Sequence, residues 1–174
     1  MPEASSIELQ PDCEKCCGLC CVAPAFAASS DFAINKPAGI PCPKLTTEFR
    51  CSIHQNLRPE GFSGCIAYDC FGAGQKVTQL TFKGRTWRSS PKIAGQMFDV
   101  FGVMQQLHSM LNYLAEALEM EPARPLLSEL RGRFDEIRAL SEGTPDDLMT
   151  VDLRALRLQT DGLLLRVGEL VRTP

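Results

Sequence analysis

From Pro91 to Pro122 the chain reads PKIAGQMFDVFGVMQQLHSMLNYLAEALEMEP. Met97, Val100, Met104, Leu107, Leu111, Leu114 and Leu118 recur there at steps of three and four, the spacing that gathers side chains on one face of an α-helix. The run predicts one long helix, ended by Pro122 and Pro125. Leu127, Leu130, Phe134 and Ile137 continue the spacing in a shorter second helix, stopped by Gly143. Thr144 then stands as an N-cap, with Pro145 at the first helical position and Asp146 and Asp147 in the first turn, where they complement the helix dipole. Met149, Leu153, Leu156, Leu163, Val167 and Leu170 mark a third helix, with Thr160 the polar member of its stripe. Short connections between such helices predict an antiparallel three-helix bundle over residues 91–174. Heptad spacing alone also fits a dimer seam. Leu158, Leu164, Leu165 and Val171 lie off the main stripe and predict a second buried face on the third helix, against the upstream segment or another subunit. A homodimer or a protein partner held through the helices is therefore expected.

Upstream, residues 1–90 have a different character. All nine cysteines lie between Cys13 and Cys70. Pro24, Pro37, Gly39, Pro41, Pro43, Pro59, Gly61, Gly64, Gly72 and Gly74 interrupt any long helix there. Residues 77–88 alternate in the manner of a strand pair turning near Lys83-Gly84. The expected fold is mainly α: an irregular cysteine-rich metal-binding module with a short β-hairpin over residues 1–90, followed by the bundle.

The chain has 174 residues, 44% of them hydrophobic, and a net charge of −3. That is enough apolar content for a core without covalent staples, so the local thiol density calls for a chemical reason. No stretch approaches the ~18 consecutive apolar residues of a membrane span, and no membrane association is expected. Met1 to Asp12 carries Glu3, Glu8 and Asp12 and no apolar run, which predicts no export signal, a cytoplasmic location and reduced thiols. Lys76, Lys83, Arg85 and Arg88, interleaved with Phe82 and Trp87, could stack on a single strand. In an acidic chain they read instead as a solvated hairpin, and no nucleic acid is expected. Asp152-Leu-Arg-Ala-Leu starts no persistent five-residue period. Gly72-Ala-Gly74-Gln-Lys76 lacks the spacing and the Ser/Thr of a phosphate loop.

Cys13-Glu-Lys-Cys16-Cys17-Gly-Leu-Cys20-Cys21 places five thiols in nine residues, and Cys42, Cys51, Cys65 and Cys70 follow. A Cys-x-x-Cys turn presents both sulfurs to one side at the bite of a tetrahedral ion, and soft thiolates select zinc, cuprous copper or iron-sulfur clusters. Four thiolates complete one zinc site or hold one common cluster, so nine fill two such sites with one left over. Adjacent cysteines diverge, so Cys20 and Cys21 are not expected to serve one ion in the same way. His54, three residues after Cys51, has a spacing that could contribute nitrogen; the simpler reading is a surface residue. His108, on the edge of a helical stripe, reads as a structural histidine. Asp69 is the nearest carboxylate to test for acid-base work, beside Cys70. An odd count and the missing export signal argue against a disulfide framework.

The blocks Cys17-Gly18-Leu19-Cys20-Cys21, Cys42-Pro43-Lys44-Leu45, Cys51-Ser52-Ile53-His54 and Arg58-Pro59 resemble, in order and much of their spacing, the zinc- or iron-chelating cysteine-cluster family (YkgJ-like, CxxCxxCC). The resemblance covers residues 13–70 and leaves the helices outside. It implies zinc or iron as the cofactor, the iron as an ion or in an iron-sulfur cluster, with Cys17, Cys20, Cys21, Cys42 and Cys51 as ligands. Cys65 arrives three residues later than the family spacing, and Cys70 falls in a variant of the family's ending, Tyr68-Asp69-Cys70-Phe71-Gly72-Ala73-Gly74. Cys13 and Cys16 flank Glu14, where the family's first cysteine falls. His54 stands where the family has an aromatic residue.

The expected function is metal binding through clustered thiolates, with no assigned catalytic residue. Two alternatives stay open: an iron-sulfur or thiol redox enzyme, and a helical interaction protein with a structural metal.

Overall fold

The structure is a computed structural model that describes residues 8–172. The first seven residues of the stretch read above as lacking an export signal lie outside the described residues.

Seven helical segments are numbered here in chain order: α1 Leu19–Val22, α2 Ser63–Ala67, α3 Ala73–Gln75, α4 Pro91–Glu119, α5 Leu127–Ser141, α6 Pro145–Met149 and α7 Leu153–Arg172. α4 is the axle. Ser90 caps it by accepting the Ile93 N–H at 3.2 Å, and Pro91 opens its first turn. Met97, Val100, Met104, Leu107, Leu111 and Leu114 are all buried, as the spacing predicts, and Leu118 is half-buried. Phe101, His108 and Met110 are buried as well, which widens the apolar stripe. The reason is that α4 packs on several sides, against α5, α6 and α7 and against the upstream segment. One continuous core joins Cys17, Leu19, Val22, Val77 and Phe82 to these α4 side chains.

Pro122 and Pro125 shape a 3₁₀ connection, Glu121–Leu126, that turns the chain back into α5. Thr144 and Asp147 form a reciprocal capping box at α6. The expected third helix is divided. α6 stops at Met149, the Thr150 hydroxyl donates to the Asp147 carbonyl at 2.7 Å, and Asp152 caps a new start by accepting the Ala155 N–H at 3.0 Å. Leu156, Thr160, Leu163 and Val167 of α7 are buried. Leu164 packs half-buried against the α4 core, whereas Leu158, Leu165 and Val171 are exposed, so α7 has no second buried face against the cysteine-rich segment.

The β-hairpin expected over residues 77–88 is corrected by the structure. Among the described residues there is no strand, only the isolated bridges Phe26–Lys36 and Leu45–Cys51. α3 runs instead into a π-helical turn, Lys76–Thr81. Strand alternation would put Leu80 on the same face as Phe82, yet Leu80 is 66% exposed while Val77 and Phe82 are 0% and 1% exposed. Those two lie five residues apart, and the Phe82 N–H donates to the Val77 carbonyl at 2.9 Å: the wide turn seats both in the α4 core. The turn expected at Lys83-Gly84 is present, both residues having positive φ, but it closes a helical turn. Lys76 is 8% exposed and pairs with Glu142 at the end of α5 at 2.8 Å.

Trp87 locks the upstream segment to the helices. Its indole N–H donates to the Cys17 carbonyl at 2.8 Å, and its ring contacts those of Phe49 and Phe98. Arg88 lies over the Phe49 and Trp87 rings and donates to the Thr46 and Thr47 carbonyls. A second, smaller core forms around Cys42, Leu57 and Phe62, with Phe26 and Phe32 stacked at 4.4 Å between centroids.

Candidate functional site

The nine cysteines are free thiols, and they take three different places. Cys17 is 2% exposed and belongs to the α4 core. Its backbone N–H donates to the Thr78 hydroxyl at 3.2 Å, and its thiol donates to the Met97 sulfur at 3.7 Å. Thr78 in turn donates to the Gly74 carbonyl at 2.8 Å. Cys17 is thus surrounded by packing and hydrogen-bond partners of its own.

Cys13, Cys16, Cys20 and Cys70 line a small, half-open pocket of about 20 Å³ together with Asp12, Gly74, Gln75 and Phe101. That is room for about one water-sized sphere. Local chemistry brings these four together. Asp12 caps the 3₁₀ turn Cys13–Lys15 by accepting the Glu14 N–H at 3.0 Å. Gln75 pins the same segment, accepting the Asp12 N–H at 2.9 Å and donating to the Gln10 carbonyl at 2.7 Å. Arg50 donates to the Cys13 and Glu14 carbonyls. Gly74 supplies clearance: a Cβ there would lie 2.7 Å from Cys16 Sγ and 4.0 Å from Cys70 Sγ.

Cys21, Cys42, Cys51 and Cys65 sit on the smaller core. The Cys42 N–H donates to the Cys21 carbonyl at 2.8 Å, Cys51 pairs with Leu45 in an isolated bridge, and Cys65 lies in α2. α1 provides the junction. Cys20 and Cys21 stand side by side on it with sulfurs 4.0 Å apart, Cys20 packing toward the α4 core and Cys21 toward the smaller one. Gly18 enters α1 with φ +71°, where a Cβ would meet Leu45 Cδ1 at 2.8 Å.

Lys36 was not singled out by the sequence and is the most unusual group near the thiols. It is 3% exposed, and its ammonium donates to the carbonyls of Val22, Pro37 and Ile40 at 3.0, 3.1 and 2.9 Å. Burial pulls its pKa down, opposed by the nearby Cys42 and Cys21 sulfurs. A buried ammonium is costly unless its donors and charge are matched.

Burial pushes the Cys16 thiol up to about 12 and the Cys65 thiol to about 11. It also raises Cys13, Cys17, Cys51 and Cys70. Cys20 is raised first by its contact with Cys21 and then by burial. As bare thiols these groups are protonated at neutral pH. Among the described residues, no three Cys, His, Asp or Glu side chains converge as a metal-holding group. The fold expectation of a formed metal-binding module is corrected accordingly: the thiols are gathered into sets and stand apart within them.

The remaining candidates have structural places. His54 is exposed, with its N–H on the Cys51 carbonyl at 3.4 Å. Asp69 makes a turn, its carboxylate accepting the Phe71 N–H at 2.6 Å. His108 is fully buried with Nδ1 2.6 Å from the Phe71 carbonyl, and burial lowers its pKa to about 4. The only signal for Lys36 was a lone lysine between turn residues, Asn35 and Pro37.

No family model matches the chain, and no solved structure matches it. Over 165 residues it is 51% identical to a protein of Bacillus subtilis (strain 168) called "Uncharacterized protein YybG", a match covering 95% of this chain and 59% of that relative. The chain therefore spans about three fifths of the relative's length. No helix among the described residues is long and apolar enough to cross a membrane.

Proposed function

We propose that the chain is a metal-binding protein that takes up zinc or iron through cysteine thiolates. The observation that carries this reading is the gathering of eight of the nine thiols around two adjoining cores that meet at α1, Cys13, Cys16, Cys20 and Cys70 along the pocket beside the α4 core and Cys21, Cys42, Cys51 and Cys65 on the smaller one. Apolar packing alone gives no reason to assemble them there, because small hydrophobes would fill the same space. The chemistry of the donor set fits soft or borderline cations. Thiol exchange fits less well, since it needs a thiolate with a lowered pKa, and every resolved shift among these thiols is upward. A cation would replace the thiol protons and draw the side chains inward, so that binding and local ordering occur together.

The test is elemental analysis and an absorption spectrum of protein purified without oxygen. At least about one equivalent of zinc or iron per chain is expected, colourless for zinc and red-brown for an iron-sulfur cluster. Less than about one tenth of an equivalent, in protein still reduced and folded, overturns the reading.

A further inference from the structure

We infer that the outer face of α7, with the groove between α7 and α5 beside it, is a docking surface for the α7 of a second copy of this chain, the two helices lying antiparallel. None of its residues belongs to the cysteine-rich segment, so the surface is independent of metal binding.

The outer face carries a ridge. Leu158 and Leu165 are 75% and 66% exposed, and they stand seven residues apart, two turns along one side of α7. That side lies opposite Leu156, Leu163 and Val167, which are buried. A single exposed leucine is ordinary, whereas two in register make a contact surface. Alongside runs a groove of about 570 Å³ with Leu163 in its lining. Gly132 of α5 and Gly162 of α7 also line it, and a Cβ placed on either meets nothing within 4 Å. A neighbouring helix can therefore approach closely there. The groove offers little to a small ion, because its charges are matched within the chain. Glu129 takes two hydrogen bonds from Arg166 at 2.6 and 2.9 Å, and Glu136 takes one from Arg133 at 2.7 Å.

Charge along α7 selects the occupant. With a two-fold axis passing between Asp161 and Gly162, antiparallel copies set Leu158 opposite Leu165 of the second copy, each about 5 Å from the axis along the helix. Arg154 then stands opposite Glu169 of the second copy, each about 11 Å from the axis. Four leucines form the centre of the seam and two Arg-Glu pairs close its ends, an apolar middle with a charged rim. A parallel pair would set Arg154 against Arg154 and Glu169 against Glu169, and like charges repel. Asp161 lies next to the axis and meets its own counterpart, which limits the affinity. One helix face from each copy is a small interface, so the dimer is reversible.

Sedimentation equilibrium of the reduced full-length chain tests this. The mass should rise from one chain to two with a dissociation constant on the order of 10–100 µM. Leu158→Glu and Leu165→Glu should each raise that constant at least about tenfold with unchanged far-ultraviolet dichroism, since neither side chain supports the fold. Arg154→Glu should raise it about three- to tenfold, and the exchanged pair Arg154→Glu/Glu169→Arg should return it to within about twofold of the wild type. Asp161→Asn should lower it. Leu80→Glu, as exposed as Leu165 but on the π-helical turn, should leave it unchanged. A wild type that remains a single chain at several hundred micromolar overturns the second copy as the occupant, whether or not another protein covers the ridge. A dimer indifferent to both leucine variants overturns the surface. An exchanged pair no tighter than Arg154→Glu alone, or an Asp161→Asn that weakens the dimer, overturns the antiparallel register.

Discussion

After Pro91 and before Cys70 the chain meets the same need, satisfied backbone and buried side chains, with different resources. The later helices bond their own peptide groups, cap their ends with Ser90, Thr144 and Asp152, and bury stripes of leucine, methionine and valine. The earlier segment has a few turns of helix, two isolated bridges, and glycines at positions 18, 39 and 61 with positive φ. Its apolar anchors, Leu19 and Val22, belong to the helices' core. The difference is one of self-sufficiency: helices that close their own hydrogen bonds need only a core, whereas an irregular segment needs further ties, which the proposed thiolate-bound cation would supply.

The largest effect expected from breaking this comparison is chelation of the metal-loaded protein. Hydrogen exchange should lose protection over residues 13–70 while residues 97–118 keep theirs. Simultaneous loss in both would show one cooperative unit. Next, Leu111→Ala should destabilise the helices by about 2–5 kcal/mol, because Leu111 is fully buried. The urea midpoint should fall with little change in slope, and the zinc or iron content should stay as in the wild type.

His108 gives a pH-dependent contrast. With its native pKa lowered to about 4 from 6.5, the unfolded chain takes up a proton that the folded one refuses as pH falls below about 6.5. Its contribution is therefore intact above that pH, lost progressively down to about 4 and constant below, a total of about 3 kcal/mol. Comparing wild type with His108→Gln, both metal-loaded, cancels the acid lability of the thiolates. The variant's stability should fall less steeply between those limits, and equal slopes would refute the assignment. The smallest effect is at the capping box: Thr144→Ala should cost about 1 kcal/mol by thermal denaturation, with metal content unchanged.

The stripe in α4 was legible because its period is carried by unambiguous apolar residues, and the cap at Thr144 because its chemistry is local. Residues 77–88 misled for the opposite reason: their alternation is short, and the deciding fact, that Val77 and Phe82 both face α4, is tertiary. The division of the third helix hung on Asp152, one capping side chain inside a continuing apolar pattern. Spacing brought out the thiols but could not sort them. Cys16 and Cys17 are neighbours with identical chemistry, and only Gly18 and the seat beside Met97 separate their roles. Lys36 carried no pattern at all, since a buried cation is recognised only by what surrounds it.

The indole of Trp87, bonded to the Cys17 carbonyl and wedged among Phe49, Phe98 and Arg88, has an optical consequence. The chain has a single tryptophan, so emission excited at the red edge, where the two tyrosines do not absorb, comes from the seam between the two halves. A shift of that emission toward the red registers water reaching the seam, without any label, while far-ultraviolet dichroism follows the helices independently.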